Sequence, residues 1–284
     1  TTSMFPYDQR MGTYLTATGR SSLANLAEKN QNLLTPDDEI VRNPEGYFNR
    51  VIEIDLSKLE PQVVGPHSPD RARPISQLAS EVRSKDNAFV DHIDTCLIGS
   101  CTNSSYEDMS RAADIANQAK KHGIKSSTDL MVTPGSEQIR ATIERDGQME
   151  SLKEIDANVL ANACGPCIGQ WRREKSLDGI PNTIVTSYNR NFPRRNDGQS
   201  ETMNFIASPE IVTALSLAGN LSFNPMTDNL TASDGTKFKL DAPKPAPEVP
   251  SQNFSRGRSS FTSPPEDGTK IDIVVNPDSE RLQI

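Results

Sequence analysis

Short apolar runs of strand length alternate with helical patterns between residues 75 and 219. A strand buried on both faces reads as a nearly continuous apolar run, which predicts strands over residues 93–99, 130–133, 159–161 and 183–186. Strands that alternate with helices build a mostly parallel sheet, because each parallel connection needs a crossover of about a dozen residues. The predicted fold class is therefore α/β: a mostly parallel sheet flanked by helices on both faces, with a polar C-terminal linker.

Helical spacing of apolar residues predicts a helix in each of four connections. Ser105 with Asp108 three residues later is a capping-box-like start. Ser208-Pro209 joins an N-cap serine to a proline at the first helical position, which is another strong start. Glycines are typical helix stops. The four helices are predicted over about residues 75–82, 105–123, 136–147 and 208–219.

Composition changes on either side of this region and suggests three parts. Four prolines between residues 61 and 74 place a boundary near residue 60. We interpret residues 1–60 as the end of a preceding α/β domain, with an amphipathic helix carrying Leu23 and Leu26 and a strand over 51–56. Residues 61–241 form the main α/β domain and end in a hairpin around residues 234–235. Residues 242–284 are rich in proline and polar residues, which is typical of an extended linker.

Charge and cysteine usage exclude several broad classes. The net charge of −8 argues against a dominant nucleic-acid surface. No apolar run approaches the roughly 18 residues of a membrane span. Four unevenly spaced cysteines do not resemble a secreted disulfide framework, which favours a reducing compartment. The chain begins at Thr1 without an initiator methionine or a targeting segment, and we interpret it as a processed protein or a piece of a longer one.

Three of the cysteines suggest a metal centre. Cys164 and Cys167 are separated by two residues, a spacing also typical of thioredoxin-like redox pairs and of half a zinc site. Cys101 follows another predicted strand and adds a third thiolate, although all three could be small buried hydrophobes. If three thiolates bind a four-iron cluster, one of its four irons has no protein ligand. An iron with an open position can act as a Lewis acid.

A zinc site would need a fourth ligand, and the chain offers no convincing one. Cys96 lies in the middle of a predicted strand and is interpreted as a core residue. His67, His92 and His122 are expected to be solvated, in a loop, beside a strand and at a helix end. The cysteine pattern therefore favours a cluster over zinc.

A basic loop follows the strand predicted at 183–186. Arginine grips carboxylates through a bidentate fork, so Arg190 and Arg195 together suit a polycarboxylate. The alternative is a solvated basic loop, and Arg194 is expected to point to solvent. Ligands of such folds bind beyond the carboxyl ends of the strands, where this loop and the cysteines converge.

The motifs that carry this chemistry resemble those of the aconitase family. Residues 99–109 are similar to the first cluster-binding signature of the family, and residues 161–171 to the second. Residues 186–192, followed by residues 195–197, resemble its substrate-arginine loop, and residues 133–140 are also typical. The similarity covers nearly the whole chain and is closest to the mitochondrial branch.

The resemblance implies a [4Fe–4S] cluster held by Cys101, Cys164 and Cys167. It also implies dehydration of citrate to cis-aconitate and rehydration to isocitrate, the tricarboxylic acid cycle reaction, in the mitochondrial matrix. The substrate would be a tricarboxylate, without nucleic-acid or membrane partners. Its carboxylates would be held by Arg190, Arg195 and Asn189.

The extent of the chain departs from the family pattern. Full aconitases have four domains, and this chain resembles the end of the second, the third, and the start of the linker to the fourth. The acid and base groups of the family lie in the absent parts, so we expect no catalytic residue here beyond the cluster and no activity from the chain alone. The alternatives are a homocitrate dehydratase of lysine synthesis, a thiol oxidoreductase using Cys164 and Cys167, and an RNA-binding regulator.

Overall fold

Five parallel strands form the centre of a seven-stranded sheet, and an antiparallel pair extends one edge. The computed structural model describes residues 4–84, 88–173, 177, 179–259, 262–272, 274, 277, 278 and 280. Side by side, the strands are β2 (Ala72–Pro74), β1 (Gln62–Val64), β7 (Thr202–Ile206), β6 (Asn182–Thr186), β3 (Ile93–Gly99), β4 (Asp129–Thr133) and β5 (Asn158–Val159). A separate hairpin pairs β8 (Leu230–Thr231) with β9 (Lys237–Phe238), as the Asp234-Gly235 turn signal predicted.

The helices predicted between the strands are all present. They are α5 (Ile75–Arg83), α6 (Tyr106–Lys121), α7 (Glu137–Asp146) and α9 (Pro209–Ala218). The start of α6 is a true capping box between Ser105 and Asp108, and Gly147 and Gly219 end α7 and α9 with positive φ angles. The remaining helices of the described residues are α1 (Gln9–Ala17), α2 (Ser21–Lys29), α3 (Gln31–Leu34), α4 (Asp38–Arg42) and α8 (Gln148–Glu154).

The core lies against the two faces of the central strands. Side chains alternate along β3, so Cys96 and Ile98 enter the large apolar cluster that α5, α6 and α9 cover. Leu97 points the other way, into a smaller cluster that includes Ile184 and Tyr188. The prediction of an α/β fold with a mostly parallel sheet flanked by helices is confirmed.

The sheet changes direction between β3 and β6. The chain proceeds from β3 to β4 and β5 on one side, then returns across β3 to add β6 and β7 on the other. Loops that leave the carboxyl ends of two such strands diverge, and the gap between them is the usual ligand crevice of this fold class. Cys101 and Asn189-Arg190 follow the two strands that flank this gap.

The N-terminal part differs from the prediction. Residues 51–56 form no strand, and Ile52 and Leu56 are 68% and 77% exposed. A strand needs a neighbour for its backbone hydrogen bonds, and no described strand lies beside this segment. The predicted helix exists as α2 and α3, but Leu23 and Leu26 are exposed, and a further helix, α1, precedes them.

Three strands were not predicted, and one is shorter than expected. The proline-rich stretch 61–74 contains β1 and β2, which join the main sheet as an antiparallel pair. The third missed strand is β7, and β5 ends at Val159 instead of residue 161. The hydrogen bond from the Leu160 amide to the Val132 carbonyl, 2.8 Å long, extends this pairing by one residue.

Residues 242–259 contain no helix or strand, and they contact earlier parts of the chain. The Phe254 ring meets those of Tyr14 and Tyr106 edge-on, at centroid distances of 6.0 and 6.3 Å. Glu248 forms an ion pair with Arg10 at 2.8 Å. Within the described part of the chain, no helix is long and apolar enough to cross a membrane.

Candidate functional site

A turn that only glycine can begin carries the chain from β3 to Cys101. Gly99 has φ +100°, and a Cβ atom there would lie 1.7 Å from the carbonyl oxygen of Thr133. Ser100 and Asn103 also adopt positive φ, at 31° and 54°, so the backbone reverses tightly. This geometry leaves the Cys101 thiol exposed at the carboxyl edge of the sheet.

Ser187 ties this turn to the end of β6. Its Oγ accepts a hydrogen bond of 3.0 Å from the Gly99 amide, and its own amide donates to the Leu97 carbonyl at 2.9 Å. Its carbonyl accepts a bond of 2.8 Å from the side chain of Asn103. Ser187 is fully buried, so these bonds satisfy polar atoms that have no access to water. The Cys101 and Asn189-Arg190 loops are therefore held together.

The second cysteine motif forms a short 3-10 helix, Gly165–Ile168, with Cys164 at its start. The Cys167 amide donates to the Cys164 carbonyl at 2.8 Å, so both cysteines lie on one turn. Cys164 is exposed, whereas Cys167 is buried and packs with Leu97, Ile184 and Tyr188. That packing places Cys167 against the end of the same two central strands.

Buried amides connect this turn to the arginine loop. The side chain of Asn196 donates to the Pro166 carbonyl at 3.0 Å and accepts from Asn204 at 2.7 Å. Asn204 in turn accepts a bond of 3.0 Å from the hydroxyl of Thr186, at the end of β6. A Cβ atom on Gly169 would lie 3.0 Å from the Arg195 carbonyl oxygen, so the two loops also touch.

The three arginines of the loop have different surroundings. Arg190 is exposed, and its Nη1 donates to the Asn189 carbonyl at 2.6 Å. Arg195 is half-buried, with its guanidinium 5.3 Å from the Phe192 ring centroid. The Arg195 Nε atom is buried and has no hydrogen-bond partner in the described structure. Arg194 is exposed with φ +66°.

The structure thus brings the predicted site residues to one edge of the sheet. All four cysteines are free thiols. Among the residues that the structure describes, no three His, Cys, Asp or Glu side chains converge as they would around a single metal ion. A four-iron cluster takes each thiolate on a different iron.

The thiols differ in how deeply they are buried, and burial raises the pKa of the buried groups described next. Cys96 is completely buried in the core, as predicted, and desolvation raises the pKa of its thiol to about 12. Burial also raises the pKa of the Tyr188 phenol well above its usual range, and the neighbouring Cys167 thiol adds to the shift. Cys101 and Cys164 are exposed.

Two of the histidines are less solvated than expected. His122 stacks on Phe238 with ring centroids 3.7 Å apart. His67 is half-buried, and desolvation lowers the pKa of its imidazole.

Sequence reasoning missed the residues that hold the loops together. Ser187, Asn196 and Asn204 each bond to groups far along the chain or in another element, and serine or asparagine has no spacing that predicts this. Their positions offered one weak signal: polar residues within or directly after strands of a buried sheet need partners.

Thiol accessibility provides a direct test of this geometry. In the metal-free native chain, we expect iodoacetamide to modify Cys101 and Cys164 first and Cys167 more slowly. Cys96 should react more than about 100-fold more slowly than Cys101, because the thiolate is the nucleophile and a pKa near 12 leaves little of it. Timed peptide mass spectrometry measures the order, with unfolded chain as the control. Native modification of Cys96 as fast as Cys101 would contradict the described core.

The comparison with known proteins agrees with these motifs. A family model described as the aconitase family (aconitate hydratase) matches residues 1–219. The mitochondrial aconitate hydratase of Gracilaria gracilis is 51% identical over 282 residues, which cover 99% of this chain and 35% of that protein. The mitochondrial aconitate hydratase of Saccharomyces cerevisiae is 50% identical over 284 residues, which cover 100% of this chain and 36% of that protein. The chain spans about a third of the length of these curated relatives and belongs to the aconitase family.

Proposed function

We propose that this chain is the cluster-bearing part of an aconitate hydratase that interconverts citrate and isocitrate through cis-aconitate. The observation that supports the proposal is that hydrogen bonds of Ser187 and Asn196 join the three segments that carry the cysteines and the arginines at one sheet edge. The names of the similar proteins support the reaction, because both relatives described above are called aconitate hydratases. No feature of the described residues favours homocitrate dehydration, thiol exchange or RNA binding.

The donor set fits a [4Fe–4S] cluster. Cys101, Cys164 and Cys167 would hold it as three thiolates, which leaves one iron without a protein ligand. When bound, the cluster supplies a Lewis acid for the departing hydroxyl of the substrate. The buried Ser100 Oγ has no hydrogen-bond partner in the described structure and lies next to Cys101 in sequence, so it offers a donor to this site.

Arg190, Arg195 and Asn189 would bind the carboxylates of the tricarboxylate substrate. A guanidinium presents parallel N–H groups that match the two oxygens of a carboxylate. Arg195 is the more buried of the two, and its backbone lies close to Gly169. Its Nε has no hydrogen-bond partner among the described residues and would donate to a carboxylate. Arg190 is exposed beside Asn189 and would reach a carboxylate farther from the sheet.

The reaction also needs groups that this chain does not supply. In the elimination, a base takes a proton from carbon, and an acid donates a proton to the departing hydroxyl group, which leaves as water. No family-matched residue of the chain has either role, and the relatives are nearly three times longer. We therefore assign the acid and base to the missing domains, and the complete enzyme to the mitochondrial matrix, following the names of the relatives.

We retain the division into residues 1–60, 61–241 and 242–284 as part of this proposal. Of the described residues 4–59, Ala24 is the only one that is buried. A segment that exposes its apolar side chains in this way suits the end of a larger preceding domain.

Cluster binding tests the cysteine assignment. After anaerobic reconstitution with iron and sulfide, the chain should gain iron–sulfur absorption in the visible range. Cys101→Ser should abolish this absorption, because two thiolates cannot hold the cluster stably. Cys96→Ser is the matched control and should retain the absorption, since Cys96 lies inside the core. Equal loss in both variants would refute the assignment.

Substitution by lysine tests the arginines. In a full-length protein that contains this chain, Arg190→Lys and Arg195→Lys should each weaken citrate binding by about tenfold or more, because lysine cannot form the bidentate fork. Arg194→Lys is the control in the same loop and should change the KM less than about twofold. Steady-state kinetics with citrate and isocitrate measure the effect. If Arg194→Lys weakened citrate binding more than the other two substitutions, the assignment of Arg190 and Arg195 as carboxylate ligands would be wrong.

Comparison of the isolated chain with a full-length protein tests whether the acid and base groups lie outside this chain. We expect the chain with its cluster verified by absorption to hydrate cis-aconitate at least about 100-fold more slowly, because general acid and base groups each contribute about 10²–10⁴-fold. Loss of substrate positioning would lower the rate further. Anaerobic assays at equal cluster content make the comparison. Turnover within about tenfold of the full-length protein would show that the missing domains are not required.

A further inference from the structure

A C-terminal segment follows helix α7 along its length. We call residues 253–258 the strap. The Asn253 carbonyl accepts a hydrogen bond of 2.9 Å from Arg145, in the last turn of α7, and the Ser255 amide donates to the Thr142 hydroxyl at 2.9 Å. At the other end of the helix, the Arg258 amide donates to Glu137 at 3.0 Å.

The lengths of the two segments agree with this alignment. Five steps of chain cover at most about 16 Å, and the eight steps of helix from residue 145 to residue 137 cover about 12 Å, so the strap is long enough to follow the helix. The order of its hydrogen bonds shows that the strap runs antiparallel to α7. Phe254 anchors it by packing against Tyr106 and Tyr14. A region whose composition predicted a free linker is thus attached to the domain that carries the cysteines.

The carboxylate of Glu137 joins the strap to the loop before Cys164. Its Oε1 accepts from the Arg258 amide at 3.0 Å and from Arg140 Nη2 at 2.8 Å. Its Oε2 accepts from Arg140 Nε at 2.6 Å and from the side-chain amide of Asn162 at 3.1 Å. One side chain therefore receives four donors from three elements: the helix, the strap and the cysteine loop.

Glu137 is suited to this role by its charge. The hydrogen bonds from Arg140 lower the pKa of its carboxyl group to about 2, and the Arg258 amide contributes, so both oxygens remain acceptors. Asn162 itself is exposed and lies two residues before Cys164. Its bond to Glu137 attaches an otherwise exposed stretch, residues 161–164, to a helix.

We propose that Glu137 is a positioning residue, which fixes the Cys164 loop through Asn162 and couples the placement of that loop to the seating of the strap. The coupling matters for cluster retention, because a thiolate ligand on a loose loop dissociates more readily from iron. This consequence rests on the proposed function. The coupling itself belongs to the protein and exists with or without a cluster.

Gly257 shows how closely the strap approaches Glu137. A Cβ atom at Gly257 would lie 2.8 Å from Glu137 Cγ and 2.9 Å from its backbone oxygen, and Gly257 has φ +69°. Any side chain there must displace either the strap or Glu137. Gly257→Ala therefore perturbs the strap without removing any of the four donors.

Hydrogen exchange in the full chain tests the coupling. In the metal-free protein, we expect Asn162→Ala and Glu137→Gln to accelerate exchange of the amides of residues 161–165 and 167 by about fivefold to tenfold, because the charge-assisted bond that closes the loop is lost or loses its charge. Gly257→Ala should accelerate the same amides by about threefold. Asn162 is exposed, so its replacement leaves the core intact and the denaturation midpoint unchanged.

Glu144→Gln is the matched control. Glu144 lies on the same helix and accepts from Arg140 Nη1 at 2.8 Å, but no hydrogen bond of the described residues joins its side chain to the strap or to Asn162. Its replacement should leave exchange of residues 161–165 and 167 within about twofold of the parent chain. Equal acceleration by Glu144→Gln and Glu137→Gln, or no acceleration by Asn162→Ala, would overturn the proposal.

A second measurement separates this proposal from the assignment of the cluster. In the reconstituted chain, Asn162→Ala and Glu137→Gln should lose visible absorption to an iron chelator about fivefold faster than the parent and the Glu144→Gln control. A parent chain that binds no cluster would refute the proposed function while the exchange result still decides the coupling. A stable cluster with unchanged exchange in all variants would refute the coupling alone.

Discussion

The hydrogen bonds of Ser187 hold together the two strand ends between which the sheet changes direction. In a doubly wound sheet, the loops after β3 and β6 would otherwise diverge. Ser187 binds the backbone of the β3 turn at Gly99 and Leu97 and receives the side chain of Asn103. Since Ser187 is fully buried, breaking any of these bonds would leave a polar group without a hydrogen-bond partner and without access to water. The relative placement of Cys101 and the arginine loop depends on this one residue.

A second constraint acts in the same place through sterics. Gly99 must lack a Cβ atom, because the Thr133 carbonyl oxygen occupies the position where that atom would lie. The contact draws β3 and β4 together at their ends and turns the chain sharply toward Cys101. Hydrogen bonding from β6 and close packing from β4 thus fix one turn from both sides. A cysteine at the end of a free loop would have no comparable position.

The sequence predicted the central fold well, because burial on both faces leaves a strong pattern. Ile93–Gly99 was predicted with its observed bounds, and the capping box of α6 was predicted from two residues. The prediction missed β7, whose apolar run is interrupted by Asn204. Asn204 is buried and forms hydrogen bonds with Asn196 and Thr186. A polar residue that the loops need thus interrupts the apolar run from which the strand could have been predicted. Residues 51–56 show the reverse error, because they alternate like a strand but lack a partner.

The site was predictable in its residue types but not in its connections. Cysteine and arginine carry specific chemistry, so their spacing was informative. The hydrogen bonds from Asn103 to Ser187 and from Asn196 to Pro166, in contrast, span 84 and 30 residues and follow only from the fold.

These connections form one side of the candidate site and leave Cys101, Cys164 and Arg190 open to solvent. Charges at such a wall act through water, where an ion pair at 4 Å contributes about 1 kcal/mol instead of about 4 kcal/mol at a partly shielded surface. Under the proposed function, enclosure by the remaining length of the protein would therefore strengthen the interactions that this edge already positions.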